Sequence, residues 1–157
     1  MSAFEEAVIQ RIKQLEREVE RLQKWERPNS AVFGRPVFLT TPKTSTSWDG
    51  DSFSTTAKTL IDLSAVFGVP AGVKAVLAQT IMRDSGSSSS NNFFILDATN
   101  ADGTGVLMNT TRMLPNDTHG YVIGIVPCNA NGDIYYQILA SGTLTMDCWI
   151  RIWGWWL

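Results

Sequence analysis

The feature that most restricts what this chain can fold into is a run of apolar residues near its start. Val8, Ile12, Leu15, Val19 and Leu22 follow one another at spacings of 4, 3, 4 and 3. On a helix that spacing draws a stripe narrower than the face a globular helix buries, and it closes best against the same stripe of another helix. Ile12 and Val19 fall at a, and Val8, Leu15 and Leu22 at d. No proline or glycine interrupts the run before Pro28, and Ser2 with Glu5 fits a capping box. Glu20 and Lys24 add a favourable pair one helical turn apart. A seam this short is marginal as an isolated helix. The segment therefore depends on self-association, or else packs as an amphipathic helix on its own head.

The number of helices has a separate signal. Arg11-Ile12-Lys13-Gln14-Leu15-Glu16 resembles the Arg-apolar-x-x-apolar-Glu pattern of short parallel three-stranded coils. That pattern implies that Arg11 at g reaches Glu16 at e of a neighbouring helix and covers the core. Ile9 at e and Phe4 at g widen the apolar face, which suits three strands better than two. No Asn occupies an a position, where it would favour a dimer.

Charge divides the chain. Residues 1–27 carry 12 of the 28 charged residues, six of each sign. In the remainder all nine acids are Asp and none is Glu. Asp favours turns and Glu favours helices, so that part reads as strands and loops. The net charge of −2 gives no long-range pull toward nucleic acid or an anionic membrane, and the basic residues of the head are scattered. No apolar stretch reaches the ~18 residues of a membrane span, and no basic-then-apolar leader opens the chain. Membrane insertion is not expected.

Arg27-Pro28-Asn29-Ser30 ends the helix, because proline disfavours helical geometry in the residue before it. Residues 28–35 form a linker and 36–157 a head without a helical period. Strands are expected at Pro36–Thr40, Lys58–Leu63, and the alternating Val73, Ala75, Leu77, Gln79 and Ile81, closed by Asp84. The serine-rich run 84–92 reads as the most flexible loop. Phe93–Leu96, Val106–Asn109 and the alternating Tyr121, Ile123 and Ile125 follow. Asn131-Gly132 between two apolar runs is a hairpin signal, with Ile134–Ala140 as its second strand.

The last strand has the clearest pattern. Leu144, Met146, Cys148, Ile150 and Ile152 fall on one face, and Thr143, Thr145, Asp147, Trp149, Arg151 and Trp153 on the other. The second face is too apolar for open solvent and too charged for a deep core, so Trp149 and Trp153 are assigned to a subunit interface. The closing Trp153-Gly154-Trp155-Trp156-Leu157 needs burial, either there or within one head. Cys128 and Cys148, both in candidate strands, are read as buried thiols, with a bridge between neighbouring strands as the alternative.

No catalytic group emerges. The single histidine, His119, sits in a loop without a serine or cysteine in a nucleophile setting. Asp49-Gly50-Asp51 and Asn129, Asn131 and Asp133 offer oxygens but continue into no distal Glu, so both read as turns rather than calcium sites. No phosphate-binding glycine loop or zinc spacing is present. A non-enzymatic protein without cofactor or metal is expected. For a sugar ligand, Trp48 beside Asp49 offers an aromatic platform, and loops 84–92 and 98–104 supply Ser87, Asn91 and Asp102. An aromatic beside a turn is, however, more often a strand-end packing residue, and Trp48 reads first as that.

Several stretches resemble tailed-bacteriophage fibre and receptor-binding proteins. They are Ser47-Trp48-Asp49-Gly50, Lys58-Thr59-Leu60-Ile61-Asp62-Leu63, the run from Phe67-Gly68-Val69-Pro70 to Val76, and Arg83-Asp84-Ser85-Gly86-Ser87. The closing Trp149-Ile150-Arg151-Ile152-Trp153-Gly154-Trp155 shares the likeness. The resemblance implies a trimer of jelly-roll-like heads in the virion, made in the host cytoplasm. It implies attachment to a host-surface carbohydrate or the capping of a fibre among other virion proteins. It transfers no ligand-binding residue. The reading as a whole is a mainly β, antiparallel sandwich head behind a short N-terminal α-helical coiled coil, assembled as a parallel homotrimer. A cellular trimeric ligand of the complement or cytokine plan and a depolymerase are the rival functions.

Overall fold

A computed structural model describes residues 3–26, 34–48, 57–101 and 105–157. The chain divides into two compact units, Met1–Gly34 and Arg35–Leu157.

The first unit holds one helix, α1 (Ala3–Glu26). Its seam residues Val8, Ile12, Leu15 and Val19 stand 42–50% exposed, and Ile9 beside them 40%. Within its own unit the stripe is therefore uncovered. The Arg11 guanidinium donates to Gln14 Oε1 at 2.8 Å along its own helix. Glu16 is exposed.

The second unit is mainly β. Its strands are β1 (Pro36–Lys43), β2 (Thr59–Ile61), β3 (Ala75–Asp84), β4 (Phe93–Asp97), β5 (Leu107–Asn109), β6 (Gly120–Pro127), β7 (Ile134–Leu139) and β8 (Met146–Trp156). They form two antiparallel four-stranded sheets, in the orders β1-β8-β3-β6 and β2-β7-β4-β5. β4 pairs with β5, β3 with β6, β2 with β7 and β1 with β8, like a long ribbon folded back on itself and wrapped over a core. The inner faces meet through Val76, Met82, Val126, Cys148, Ile150 and Ile152 of the first sheet and Phe94, Leu96, Ile134 and Ile138 of the second. Each such side chain contributes about 1.5–3 kcal/mol on burial.

One helix interrupts the head where none was expected. α2 (Leu63–Phe67) is too short to show a period in sequence, but its caps are explicit. The Asp62 carboxylate accepts from Ala65 N at 2.9 Å, and Gly68 closes the helix in the left-handed region at φ 62°. The Ala65 amide, with the Ser64 hydroxyl that donates to the same oxygen at 2.7 Å, holds the Asp62 carboxyl below its ordinary range. The expected strand Lys58–Leu63 shrinks accordingly to Thr59–Ile61, and Leu63 and Phe67 bury against the core.

Other expectations need correction. The Asn131-Gly132 turn is real, but it joins no hairpin: β6 lies in one sheet and β7 in the other. Asn129 Oδ1 accepts from the amides of Asn131 and Asp133, and Gly132 sits at φ 90°, where an added Cβ would come 2.6 Å from Gly72 N. Turn chemistry set the local bend, and the core decided where the next strand went. Leu144 is not a core residue. It lies outside β8, 70% exposed at φ 57°, in a turn where Thr145 Oγ1 donates to the Gly142 carbonyl. Cys128 falls just past β6 rather than within a strand. It and Cys148 are both free thiols.

The serine-rich segment is not a loose tether. Asp84 is fully buried and its carboxylate accepts from the Gly86 and Ser141 amides at 2.8 Å each and from the Ser141 hydroxyl. Its carbonyl takes the amides of Ser87 and Asp117. A second anchor is the buried pair Lys58 Nζ to Asp97 Oδ2 at 2.5 Å, with the Ala101 carbonyl as a further acceptor at 2.8 Å.

Candidate functional site

Two surfaces of the head stand out by their make-up. The first is the outer face of sheet β1-β8-β3-β6. On β3 the even-numbered Val76, Ala78 and Met82 go into the core, so the odd-numbered residues face out. The pairing then fixes which partners join them. Leu77 lies opposite Ile125, Gln79 between Ile123 and Arg151, and Ile81 between Tyr121 and Trp149. Trp153 reaches the centre of this set, donating its indole N–H to Gln79 Oε1 at 3.1 Å. Phe38 of β1 joins at the margin, edge-on to Trp156 with ring centres 5.9 Å apart.

The face is apolar and open. Phe38, Tyr121, Ile123 and Ile125 are 46–65% exposed, and Trp149 is 40% exposed. His119 stacks almost parallel to both Tyr121 and Trp149 at 6.1 Å. Arg151 is exposed, and Arg83 pairs with Asp147. Aromatic and arginine-rich faces of this kind mark interfaces rather than bare surface. Trp149 and Trp153 thus share one surface, as their alternation predicts. The alternating sets of β3 and β6 point to it as well, a fact hidden in the sequence because both faces of these strands are apolar.

The C-terminal aromatics divide. The β3–β8 register slips between Leu77 and Ala78, leaving Trp153 as an extra residue, and this bulge reverses the alternation. Ile152 before it and Trp155 after it both enter the core of the same head. Burial of Trp155 therefore needs no neighbouring subunit. Gly154 is required where β1 crosses, since a Cβ would stand 2.5 Å from the Val37 carbonyl.

The second surface is a groove of about 330 Å³ lined by Asn91, Phe93, Met108, Thr110, Arg112 and Leu139, with Asn92 at its base. A hollow of about 250 Å³ adjoins it, sharing Asn91 and Arg112 and bounded by Ser88, Ser90 and Met113. The walls are tied together. Asn92 is buried, accepts from Thr111 N and donates to Thr111 Oγ1, both at 3.0 Å, while its carbonyl takes the Thr110 hydroxyl at 2.7 Å. Met113 N donates to the Ser87 carbonyl at 2.9 Å.

The expected sugar contacts scatter. Asn91 lies on this groove. Ser87 does not offer itself to a ligand: it is fully buried and its hydroxyl is directed at the carbonyls of Leu114 and Pro115. Trp48 stacks on Phe94 at 5.8 Å and meets Tyr136 edge-on at 5.3 Å, the packing alternative for that residue. Asp49 and Asp102 lie outside the described residues. Arg112, Met108 and Thr110 carried no sequence signal, because three separate segments bring the groove together.

Two titratable side chains of the head have a pKa raised by burial. Burial, helped by Asp133, pushes the Cys128 thiol up to about 12, and burial also raises the Tyr136 hydroxyl. Such a thiol stays protonated and unreactive near neutrality. Among the described residues no three His, Cys, Asp or Glu side chains stand together as a metal site would need. No protein-family model, curated protein or solved structure matches the chain.

Proposed function

We propose that this chain is a non-enzymatic attachment protein of a phage particle, acting as a parallel homotrimer. The N-terminal helices wind into a three-stranded coil, and each carries a jelly-roll head. The pairing of first strand with last, second with seventh, and so on inward is the jelly-roll scheme. One observation carries the assembly: the heptad stripe of α1, from Val8 to Val19, stands exposed within its own unit. Closing that stripe against two others removes apolar surface from water, at ~25 cal/mol per Å². Arg11 and Glu16 flank the seam and join across it, and Leu22 extends it. The outer sheet face with Trp149 and Trp153 adds contacts between heads. Trimerisation then multiplies weak contacts to a host-surface carbohydrate. The virion role rests on the likeness of residues 47–87 and 149–155 to phage appendage proteins.

Light scattering on the full chain and on a chain lacking residues 1–27 tests this. A mass near three times 17.4 kDa is expected for the full chain. A trimer that survives truncation assigns the main contact to the sheet face. A monomeric full-length chain overturns the proposal. A second reading, a fibre cap without ligand, draws on the same apolar face, whose make-up suits protein contact better than sugar. A stable trimer with no binding to host polysaccharide would favour it.

A further inference from the structure

We infer that the groove around Arg112 binds a sugar carrying an anionic group, a carboxylate or a phosphate. This rests on the attachment reading and names its ligand class. The argument begins with charge. Arg112 is exposed and has no ion pair among the described residues, whereas Lys58 and Arg83 are each matched by an Asp. Among the described residues neither the groove nor its neighbouring hollow is lined by a carboxylate. The only formal charge the described residues turn to both spaces is therefore one guanidinium. Its planar fork fits a carboxylate or phosphate with two parallel bonds.

The remaining walls fit a sugar ring. Phe93, Met108 and Leu139 form an apolar side for the C–H face of a pyranose. Ser88, Ser90, Asn91 and Thr110 supply hydroxyl and amide groups for its oxygens. The volume lies at the lower end of the range for small-ligand sites, ~300–1,000 Å³.

The site is also held in place before any ligand arrives. Arg112 N donates to Thr110 Oγ1 at 3.2 Å, and Thr110 is itself fixed to Asn92. The next residue, Met113, sits at φ 65° and 79% exposed. A non-glycine residue in the left-handed region costs about 1–2 kcal/mol, and such strain gathers at binding sites. The Asn92 and Ser87 ties hold that backbone on both sides.

The test is an NMR titration of the full chain with glucuronate, glucose 6-phosphate and neutral glucose. Shifts at the amides of Asn91 and 110–113 are expected with either anionic sugar, at ~10-fold lower concentration than with glucose, the size of one charged hydrogen bond. The stronger of the two names the source of the anion. R112Q should remove that advantage and R112K should keep part of it, with the mass of the assembly unchanged. Equal binding of glucose, or full binding by R112Q, overturns the assignment. Host polysaccharide bound by the trimer without dependence on Arg112 would leave the attachment role standing and sink only this site. A monomer that still binds through Arg112 would do the reverse.

Discussion

The two outer faces of the sandwich differ in what made them. The face over β1-β8-β3-β6 comes from strands of 8 to 11 residues, regular enough to lay Tyr121, Ile123, Trp149 and Trp153 side by side. The face over β2-β7-β4-β5 comes from strands of 3 to 6 residues, and polar loops fold in at its margin to make the Arg112 groove. Long paired strands give a flat apolar surface, suited to another protein surface. Short strands leave room for loops, and loops bring charge and hydrogen-bonding groups to a concave place. Strand length thus separates a flat apolar face from a concave one with charge and hydrogen-bonding groups.

The largest effect expected is the loss of the anchor beside the second face. Asp97→Ala removes the carboxylate that pairs with the Lys58 ammonium, whose side chain is wholly buried, and leaves it a carbonyl oxygen in place of a counter-charge. Removing one member of a buried pair costs about 3–5 kcal/mol, read as a lower midpoint in urea denaturation. If the midpoint holds, that sheet does not depend on its anchor.

The faces themselves are compared by placing a charge on each. Ile123→Asp should lower the mass seen for the chain lacking residues 1–27, and Met108→Asp should leave it unchanged. Both residues are 56% exposed, so folding stability should shift by only about 0.5 kcal/mol in either variant. Equal masses for the two would abolish the distinction.

Alkali probes the interior between the faces. The Cys128 pKa is raised by burial, so the unfolded chain loses its proton first as pH climbs. Its contribution is complete below about 9 and is lost as pH rises toward about 12, so stability falls across that window. At pH 8 native Cys128 should react with iodoacetamide about 1000-fold more slowly than in denaturant, because the buried thiol holds that much less thiolate. Fast native labelling would mean that this end of the sandwich opens.

The smallest effect lies at the entry to β8. Leu144→Gly relieves a left-handed leucine, and should raise stability by up to about 1 kcal/mol in thermal unfolding.

Much of the fold was legible because strand alternation survives folding. β8 announced itself through Met146 to Ile152, and the bulge at Trp153 was invisible because alternation carries no record of its own slip. The Asn-Gly pair told the truth about a turn and nothing about which sheet follows. The outward direction of Tyr121, Ile123 and Ile125 was not legible, since both faces of β6 carry apolar residues and alternation does not say which face meets the core. α2 could have been found from Asp62 and Gly68, had caps been weighed above period. The groove was hidden for a different reason. Phe93, Met108, Arg112 and Leu139 lie far apart along the chain, and only pairing brings them to one place.

The ribbon pairing also dictates an order of events during synthesis. β8 is the last of the eight strands to leave the ribosome, yet it lies between β1 and β3. About sixty residues separate the end of β3 from the start of β8, several seconds at roughly 5–20 residues per second. Through that interval β1 has no partner strand among those described, and β3 has both edges open until β6 emerges and one open edge after that. Both are templates for the wrong chain, and copies growing close together would multiply the risk. The closing strand is therefore a deadline, and crowding before it arrives is where this molecule is most exposed to misassembly.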